Sequence, residues 1–549
     1  MSLTLLGRVP YAQAGFGERL VADWVSDFAR VEPFFRRDPR REDACLALWR
    51  ELKRATYPRA ELAARLAGPG APEGLAPEAR EDARALARPE TLAVITGQQA
   101  GLFGGPLYTL FKALTTVKLA REWTARFGPE FRFVPVFWAA TDDHDLGEID
   151  HAYFVGKDGR VERLRAAWGE EARGAAASEA SFAKQVEALR EPLEALLPGA
   201  AEMLLEPYRG SSVGAAGAAL LARWLSPLGL IVADAAALRP FGRALYAREL
   251  DEFPRTGALI RSAGAALRAA GYEPALDEAG EGPHVFLHRE GLRAALTAVD
   301  GGRAFRERSP AFAARGMEPR TYAKDELRRR IEAAPETFSA SAALRPVVQQ
   351  TLFPVAAAVL GPGEMAYWAQ LAPLHDHYGA AWPVVIPRAS ATLLDPLALR
   401  AVRKLNVPVA DLFLPAEELK AKYLAGGALG AQLDEDRAAI LGRLDALHRR
   451  VRETDRGLDP LFASARERIG HELDRIAAKT KASAAQREGP GAARLEYLAA
   501  FVRPKGRPQE RTLSLAQFLA PDPGLAARLL EALEPLAFEH LVIGMVGES

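Results

Sequence analysis

The apolar residues of this chain change their spacing from segment to segment, and each spacing predicts a different element. "LAVIT", 92–96, is a short continuous run, as in a strand buried on both faces. A loop rich in glycine and glutamine follows. Pro106 then marks the start of a helix, because proline loses no hydrogen bond at a first helical position. Leu107, Leu110, Phe111, Leu114 and Val117 recur at helical spacing and predict its buried face. "FVPVFWAAT", 133–141, is a second strand and ends in "DDHD", so the unit reads as parallel strand–helix–strand. "LGLIVADAA" (228–236), "HVFLHREG" (284–291) and "WPVVIPR" (382–388) predict further strands. The expectation is one doubly wound α/β domain with a parallel sheet over 91–390. Its insertions fall at about 155–225, an alanine-rich helical stretch, and at about 240–335.

On either side the pattern turns helical. Residues 1–90 alternate helical patterns with proline breaks and predict a region packed on the core, while 391–430 reads as a connector. Ile440, Leu444, Leu447, Val451, Thr454, Leu458 and Leu461 alternate four and three apart, the spacing of a heptad seam. "RGLDP" interrupts it, and Ile469, Leu473 and Ile476 resume it, so a coiled-coil helical hairpin is expected over 431–500, with a break near Gly489–Gly491. Residues 501–549 are expected to return to the core.

Composition narrows the class of partner. Lys+Arg and Asp+Glu both number 71, so no net basic field draws in nucleic acid or anionic lipid. The single cysteine, Cys45, lies in an apolar helical pattern and reads as a core thiol; one cysteine makes no disulfide framework or cysteine-rich zinc module. The start lacks the basic head and apolar run of a signal peptide, and no run reaches the roughly 18 apolar residues of a membrane span. A cytoplasmic protein acting on small molecules is expected.

Three clusters carry candidate chemistry. The loop Thr96–Gly105 is neither a Walker A sequence nor G-x-G-x-x-G, but a glycine-rich turn at a helix start presents backbone N–H groups to anions, and Gln98 and Gln99 add amides. Lys112, further along that helix, reads equally well as solvated or as a ligand contact. "TDDHDLGEIDH" crowds Asp142, Asp143, His144 and Asp145 at a strand end, a charge that calls for a cation, an ammonium or arginines. A helix starting there would put His144, Glu148 and His151 on one face, as metal ligands or an acid/base pair. In 344–371, "GPGE" turns between apolar segments, so that Arg345 and Gln349 face Glu364 and Tyr367; Arg388 ends the next strand. His375 and His377, two apart, diverge on a helix and read as structural.

"VITGQQAGLFGGPLYTLFK", "VPVFWAATDDHDLGEIDH" and "LRPVVQQTLFPVAAAVLGPGEMAYWAQL", with "PVVIPR" and "RPQER", together resemble the BshC family, the cysteine-adding enzymes of bacillithiol biosynthesis. The resemblance implies a Rossmann-like core with inserted connecting segments and a coiled coil that pairs two subunits as a homodimer. It implies a ligase that joins L-cysteine to the free amine of glucosaminyl-malate. By that likeness Thr96, Gly97, Gln98, Gln99, Gly101, Gly104, Gly105 and Tyr108 would line the main pocket with Asp142–Asp145, and Gly361, Gly363, Glu364 and Arg388 would stand beside it. Two departures stand out: the family usually has Glu where Asp142 stands, and tends to carry Asn within the stretch "SASA", 339–342. A free carboxylate needs activation before it forms an amide, so ATP with Mg²⁺ is the expected cofactor. The loop would hold phosphates, an acidic residue of 142–145 the metal or the cysteine ammonium, His144 would accept a proton, and Arg388 would hold a carboxylate or leaving phosphate. A metal-dependent hydrolase or transferase using His144, Glu148 and His151 stands as one alternative, a non-enzymatic coiled-coil scaffold as the other.

Overall fold

"LAVIT" lies in the middle strand of a five-stranded parallel sheet. The computed structural model describes residues 2–169, 172–183, 185–276 and 281–547, with backbone alone at 425–431 and 481–488. The sheet comprises β1 (Thr91–Gln98), β2 (Arg132–Ala139), β3 (Ile231–Asp234), β4 (Val355–Leu360) and β5 (Val384–Pro387), in the spatial order β3-β2-β1-β4-β5. Every pairing is parallel. Continuous apolar runs suit such strands because helices cover both faces. After β1 the chain crosses back through α1 (Tyr108–Phe127), whose residues from Thr109 to Val117 are all buried. The strand order reverses between β1 and β4, so their outgoing chains diverge and leave a crevice beyond the carboxyl ends.

The strand at 284–291 does not join this sheet. Val285–Arg289 turns back through Glu290 and Gly291, both at positive φ (52° and 71°), into Leu292–Val299. Two consecutive left-handed residues make the tight turn whose twist matches an antiparallel hairpin, so the segment is committed to an antiparallel partner. A separate five-stranded antiparallel sheet results, completed by Ala304–Arg308, Thr321–Ala323 and Phe338–Ala340. The alanine-rich insertion likewise opens with a hairpin, His151–Val155 against Val161–Arg165, before its helices begin.

The first ninety residues are not wholly helical. Ser2–Pro10 is a strand, antiparallel to Glu539–Val546, which in turn runs parallel to Ser390–Leu394. Its partner lies at the other end of the chain, which local spacing does not reveal. The helix Glu42–Arg54 then sets Trp49 against Trp123 (ring centroids 4.8 Å) and Phe133 (4.8 Å), fastening the N-terminal region to α1 and β2.

Two long helices form an antiparallel hairpin over Ala425–Arg452 and Asp459–Val502. Arg437–Asp474 (2.7 Å) and Arg466–Asp445 (2.9 Å) clip its two arms. The second helix does not break at Gly489–Gly491; it runs through Pro490, and its far end buries Leu495, Leu498 and Phe501 on the core.

His540 fastens the terminal sheet. Its ring sits between Ser390 Oγ (2.7 Å) and Thr392 Oγ1 (2.9 Å), and burial pushes its pKa down to about 3. His540 therefore stays neutral in the fold and takes up a proton on unfolding below its ordinary value, so its contribution to stability is complete above about pH 6.5 and declines as pH falls toward 3. Urea denaturation at a series of pH values is expected to show His540→Gln losing stability less steeply than the parent between pH 6 and 4, by about 1.4 kcal/mol per pH unit.

Candidate active site

A cavity of about 600 Å³ occupies the crevice at the strand reversal. β1 delivers Gly97 and Gln98 to it, with Gln99 just beyond, and the loop after β2 delivers Asp142, Asp143 and His144. The far wall comes from α2 (Arg345–Leu352) and α3 (Pro362–Trp368), which supply Arg345, Glu364 and Tyr367. The hairpin helices are α4 (Ala425–Arg452) and α5 (Asp459–Val502), remote from this wall. Gly97 is required by packing: a Cβ there would lie 3.0 Å from the Trp138 carbonyl oxygen on the adjacent strand.

Lys112 is the cavity's hidden support. The side chain is only 2% exposed, yet its ammonium donates to Gly97 O (2.6 Å) and Gln98 Oε1 (2.9 Å) and pairs with Glu364. Burial pushes its pKa down, and the Glu364 carboxylate opposes that shift. Glu364 Oε2 also accepts from Gly361 N–H (2.8 Å), closing the first turn of α3. Among the described residues its other oxygen has no partner, and the side chain reaches the cavity. The sequence carried a signal for Lys112: "TLFKALTTVKLA" is apolar on nearly every side, so a lysine in its centre lies inside.

On the opposite wall the carboxylates already have partners. Asp142 is paired with Arg239 Nε at 2.5 Å. Asp143 accepts from Gln99 Nε2 (2.6 Å) and, through its other oxygen, from the His144 and Asp145 backbone N–H groups (2.7 and 3.2 Å). Burial works against ionising Asp143, but Gln99, Arg293 and the Asp145 N–H outweigh it and hold the carboxyl below its ordinary pKa. Arg293 comes from the antiparallel insertion and stacks over Phe286. It donates to His144 Nδ1 (2.8 Å), Ser339 Oγ (3.0 Å) and Ala340 O (2.9 Å). A guanidinium has no acceptor, so Nδ1 must hold the lone pair and Nε2 the proton. Burial and Arg293 both lower the His144 pKa. His144 is therefore a neutral N–H donor, which corrects the expected proton-accepting role. Arg293 lies in the stretch read as the second insertion and Arg239 just ahead of it, and no local pattern marks either.

Several expected residues stand elsewhere. Thr96 is buried, its hydroxyl donating to Val359 O (2.8 Å) and joining β1 to β4. The glycine amides of the loop are already bonded. Phe103 N–H donates to Tyr208 OH (2.8 Å), those of Gly101, Gly104 and Gly105 donate within the loop, and Leu107 N–H donates to Leu513 O (2.8 Å). Gly104 and Gly105, at φ 86° and 83°, thus shape a buried turn covered by the C-terminal segment, and offer no phosphate cradle. Tyr108 accepts from Gln98 Nε2 (3.1 Å), and Gln349 braces Arg345 (3.0 Å) from behind. Gly361 caps α3, and Gly363 faces open space. Asp145 precedes the single turn Leu146–Ile149 rather than a long helix. His151 opens the following strand beside Asp150 (2.9 Å), so His144, Glu148 and His151 share no face. Among the described residues no three His, Cys, Asp or Glu side chains group as metal ligands. Arg388 is sealed in: it pairs with buried Glu510, which also accepts from Ser390 (2.9 Å), so it holds no substrate group. His375, bonded to Ala381 O (3.1 Å), and His377, against Glu252 (2.6 Å), diverge as expected.

Nitrogen-detected NMR of histidine-labelled protein is expected to show His144 as the Nε2–H tautomer throughout pH 6–8. In Arg293→Met the same ring is expected to take up a proton at higher pH than in the parent.

Comparison with known proteins agrees with this architecture. Residues 7–389 match the model of the bacillithiol biosynthesis BshC N-terminal Rossmann-like domain, and 391–545 that of the BshC C-terminal coiled-coil domain. A protein of Salinibacter ruber named "Putative cysteine ligase BshC" is 29% identical over 98% of both chains. Proteins of the same name from Koribacter versatilis and Symbiobacterium thermophilum are each 30% identical, over 93% of this chain and 94% of theirs. The chain belongs to the BshC family.

Proposed function

We propose that the protein is a ligase that joins the carboxyl of L-cysteine to the free amine of glucosaminyl-malate, forming the amide of bacillithiol. The relatives' printed name supports a cysteine ligase, and the family description supports the pathway. One observation carries the chemistry: cationic, anionic and N–H donor groups with unfilled valences face a single cavity. Arg345 bonds only Gln349 Oε1 (3.0 Å) and Tyr367 OH (3.1 Å) and, among the described residues, makes no ion pair. It is a cation free to hold an anionic substrate group.

Amide formation from a carboxylate requires that an oxygen leave. ATP would supply the activation, giving an acyl-phosphate or acyl-adenylate that the neutral amine attacks, with phosphate or AMP departing. The unpartnered oxygen of Glu364 is placed to take the proton from that amine. His144 Nε2–H donates to the acyl oxygen as it gains charge. Asp143, held anionic, orients an ammonium. The carboxylates do not form a ready Mg²⁺ cage: Asp142 gives one oxygen to Arg239, Glu364 one to Lys112 and Gly361 N–H, and both oxygens of Asp143 are taken by Gln99 and two backbone N–H groups.

Self-association through the hairpin is part of the same reading. In one chain Leu461 is 59% exposed, Ile476 50% and Leu447 46%, an apolar stripe that a second copy would cover.

Purified protein given L-cysteine, glucosaminyl-malate and ATP is expected to form bacillithiol, detected by mass spectrometry. Glu364→Gln is expected to lower the rate by about 100-fold or more, and omission of ATP to abolish it; product formed at full rate without a nucleotide would sink the activation step. Sedimentation should give a dimer that Leu461→Asp/Ile476→Asp converts to monomer without loss of fold.

A further inference from the structure

"RPQER", 507–511, is singled out by the sequence yet takes no part in the cavity. Its two central residues are locks. Gln509 accepts from Leu393 N–H (2.9 Å) and donates to Leu393 O and Phe501 O (2.9 Å each). Glu510 pairs with Arg388 and accepts from Ser390 (2.9 Å). With these two buried, Arg507 and Arg511 on either side of them both reach a single cleft.

Both arginines line a second cleft, of about 340 Å³, with Lys505, His151 and Glu148. Three cations therefore face one carboxylate. Among the described residues Arg507 and Lys505 make no ion pair, and Arg511 reaches only Glu18, at 3.5 Å. Lys505 and Gly506 adopt positive φ (55° and 75°), and a left-handed non-glycine residue of this kind carries a conformational cost that concentrates at ligand clamps. Glu148 lines this cleft and the main cavity alike, so the two adjoin. The cleft has an aromatic ring, Tyr153, and Lys505 (4.8 Å) and Arg163 (5.8 Å) lie over it.

We infer that Lys505, Arg507 and Arg511 form an anion subsite for the dicarboxylate end of the acceptor, whose amine reacts in the adjoining cavity. This rests on the ligase reading above for the identity of that acceptor, glucosaminyl-malate. The segment that follows the coiled coil thereby selects the substrate, and the cavity on the parallel sheet performs the chemistry.

Calorimetric titration of the full-length protein with L-malate tests the subsite without turnover, and inorganic phosphate and ADP serve as comparison probes. Arg507→Gln/Arg511→Gln is expected to weaken L-malate binding about 100-fold, since hydrogen bonds to charged groups contribute about 1.5–3 kcal/mol each. Arg507→Lys/Arg511→Lys is expected to recover part of it, and an unchanged thermal melt confirms folding. In the ligase assay the double Gln variant should raise KM for glucosaminyl-malate about 10-fold or more and leave KM for cysteine within about twofold. L-malate binding that survives the double Gln substitution overturns the subsite. So does phosphate or ADP binding more tightly than malate with the same arginine dependence, which would give the cleft to the nucleotide. Loss of malate binding in a protein that forms no bacillithiol would sink the ligase reading and leave the subsite standing.

Discussion

A lysine ammonium buried at the reversal of the sheet holds the site together. Lys112 ties the end of β1, through Gly97 O and Gln98 Oε1, to the start of α3, through Glu364. These are the two chains that diverge where the strand order turns back, and an open crevice there would otherwise let its walls drift apart. Removing one partner of such a buried pair costs about 3–5 kcal/mol, because the survivor keeps its charge without compensation. The pair also fixes a carboxylate with one oxygen spent on structure and, among the described residues, one without a partner, which the proposed mechanism uses. Pre-placement of that oxygen is what an enzyme needs at the moment a proton moves.

The opposite wall uses the same economy of charge with arginines from outside the parallel sheet. Arg239 follows β3 and neutralises Asp142, while Arg293 crosses from the antiparallel insertion to His144. The insertion thus decides which form of imidazole the cavity sees. From Asp142 a continuous polar chain runs through Arg239, Glu179, His288 and Ser339 to Arg293 and His144. Such a chain holds each member in one orientation.

What was legible in the sequence was whatever depends on neighbours along the chain. β1, α1 and β2 follow from spacing alone, and the convergence of Gln98, Gln99, Asp142, Asp143 and His144 follows from strand ends. Arg345, Glu364 and Tyr367 were legible from the turn between them. The rest depends on distant partners. The glycines of the loop suggested free amides, but carbonyls of the loop itself take those of Gly101, Gly104 and Gly105, and Tyr208 takes that of Phe103. Arg388 ended a strand as a ligand residue would, but Glu510, 122 positions later, claims it. "HVFLHREG" had the composition of a parallel strand, and only the left-handed pair Glu290–Gly291 distinguishes it as half of a hairpin.

The strand at Glu539–Val546 lies between Ser2–Pro10 and Ser390–Leu394, so one element made late in translation joins two made long before. On the ribosome the first strand must wait, its edge unpaired, while more than 500 residues are added. The lid over the glycine loop and the partner of Arg388 arrive in that same last stretch. Vectorial synthesis therefore delivers the parallel sheet and the walls of its cavity first, and a chain stalled after its coiled coil would lack the cover of the glycine loop and leave the Arg388 guanidinium without its carboxylate.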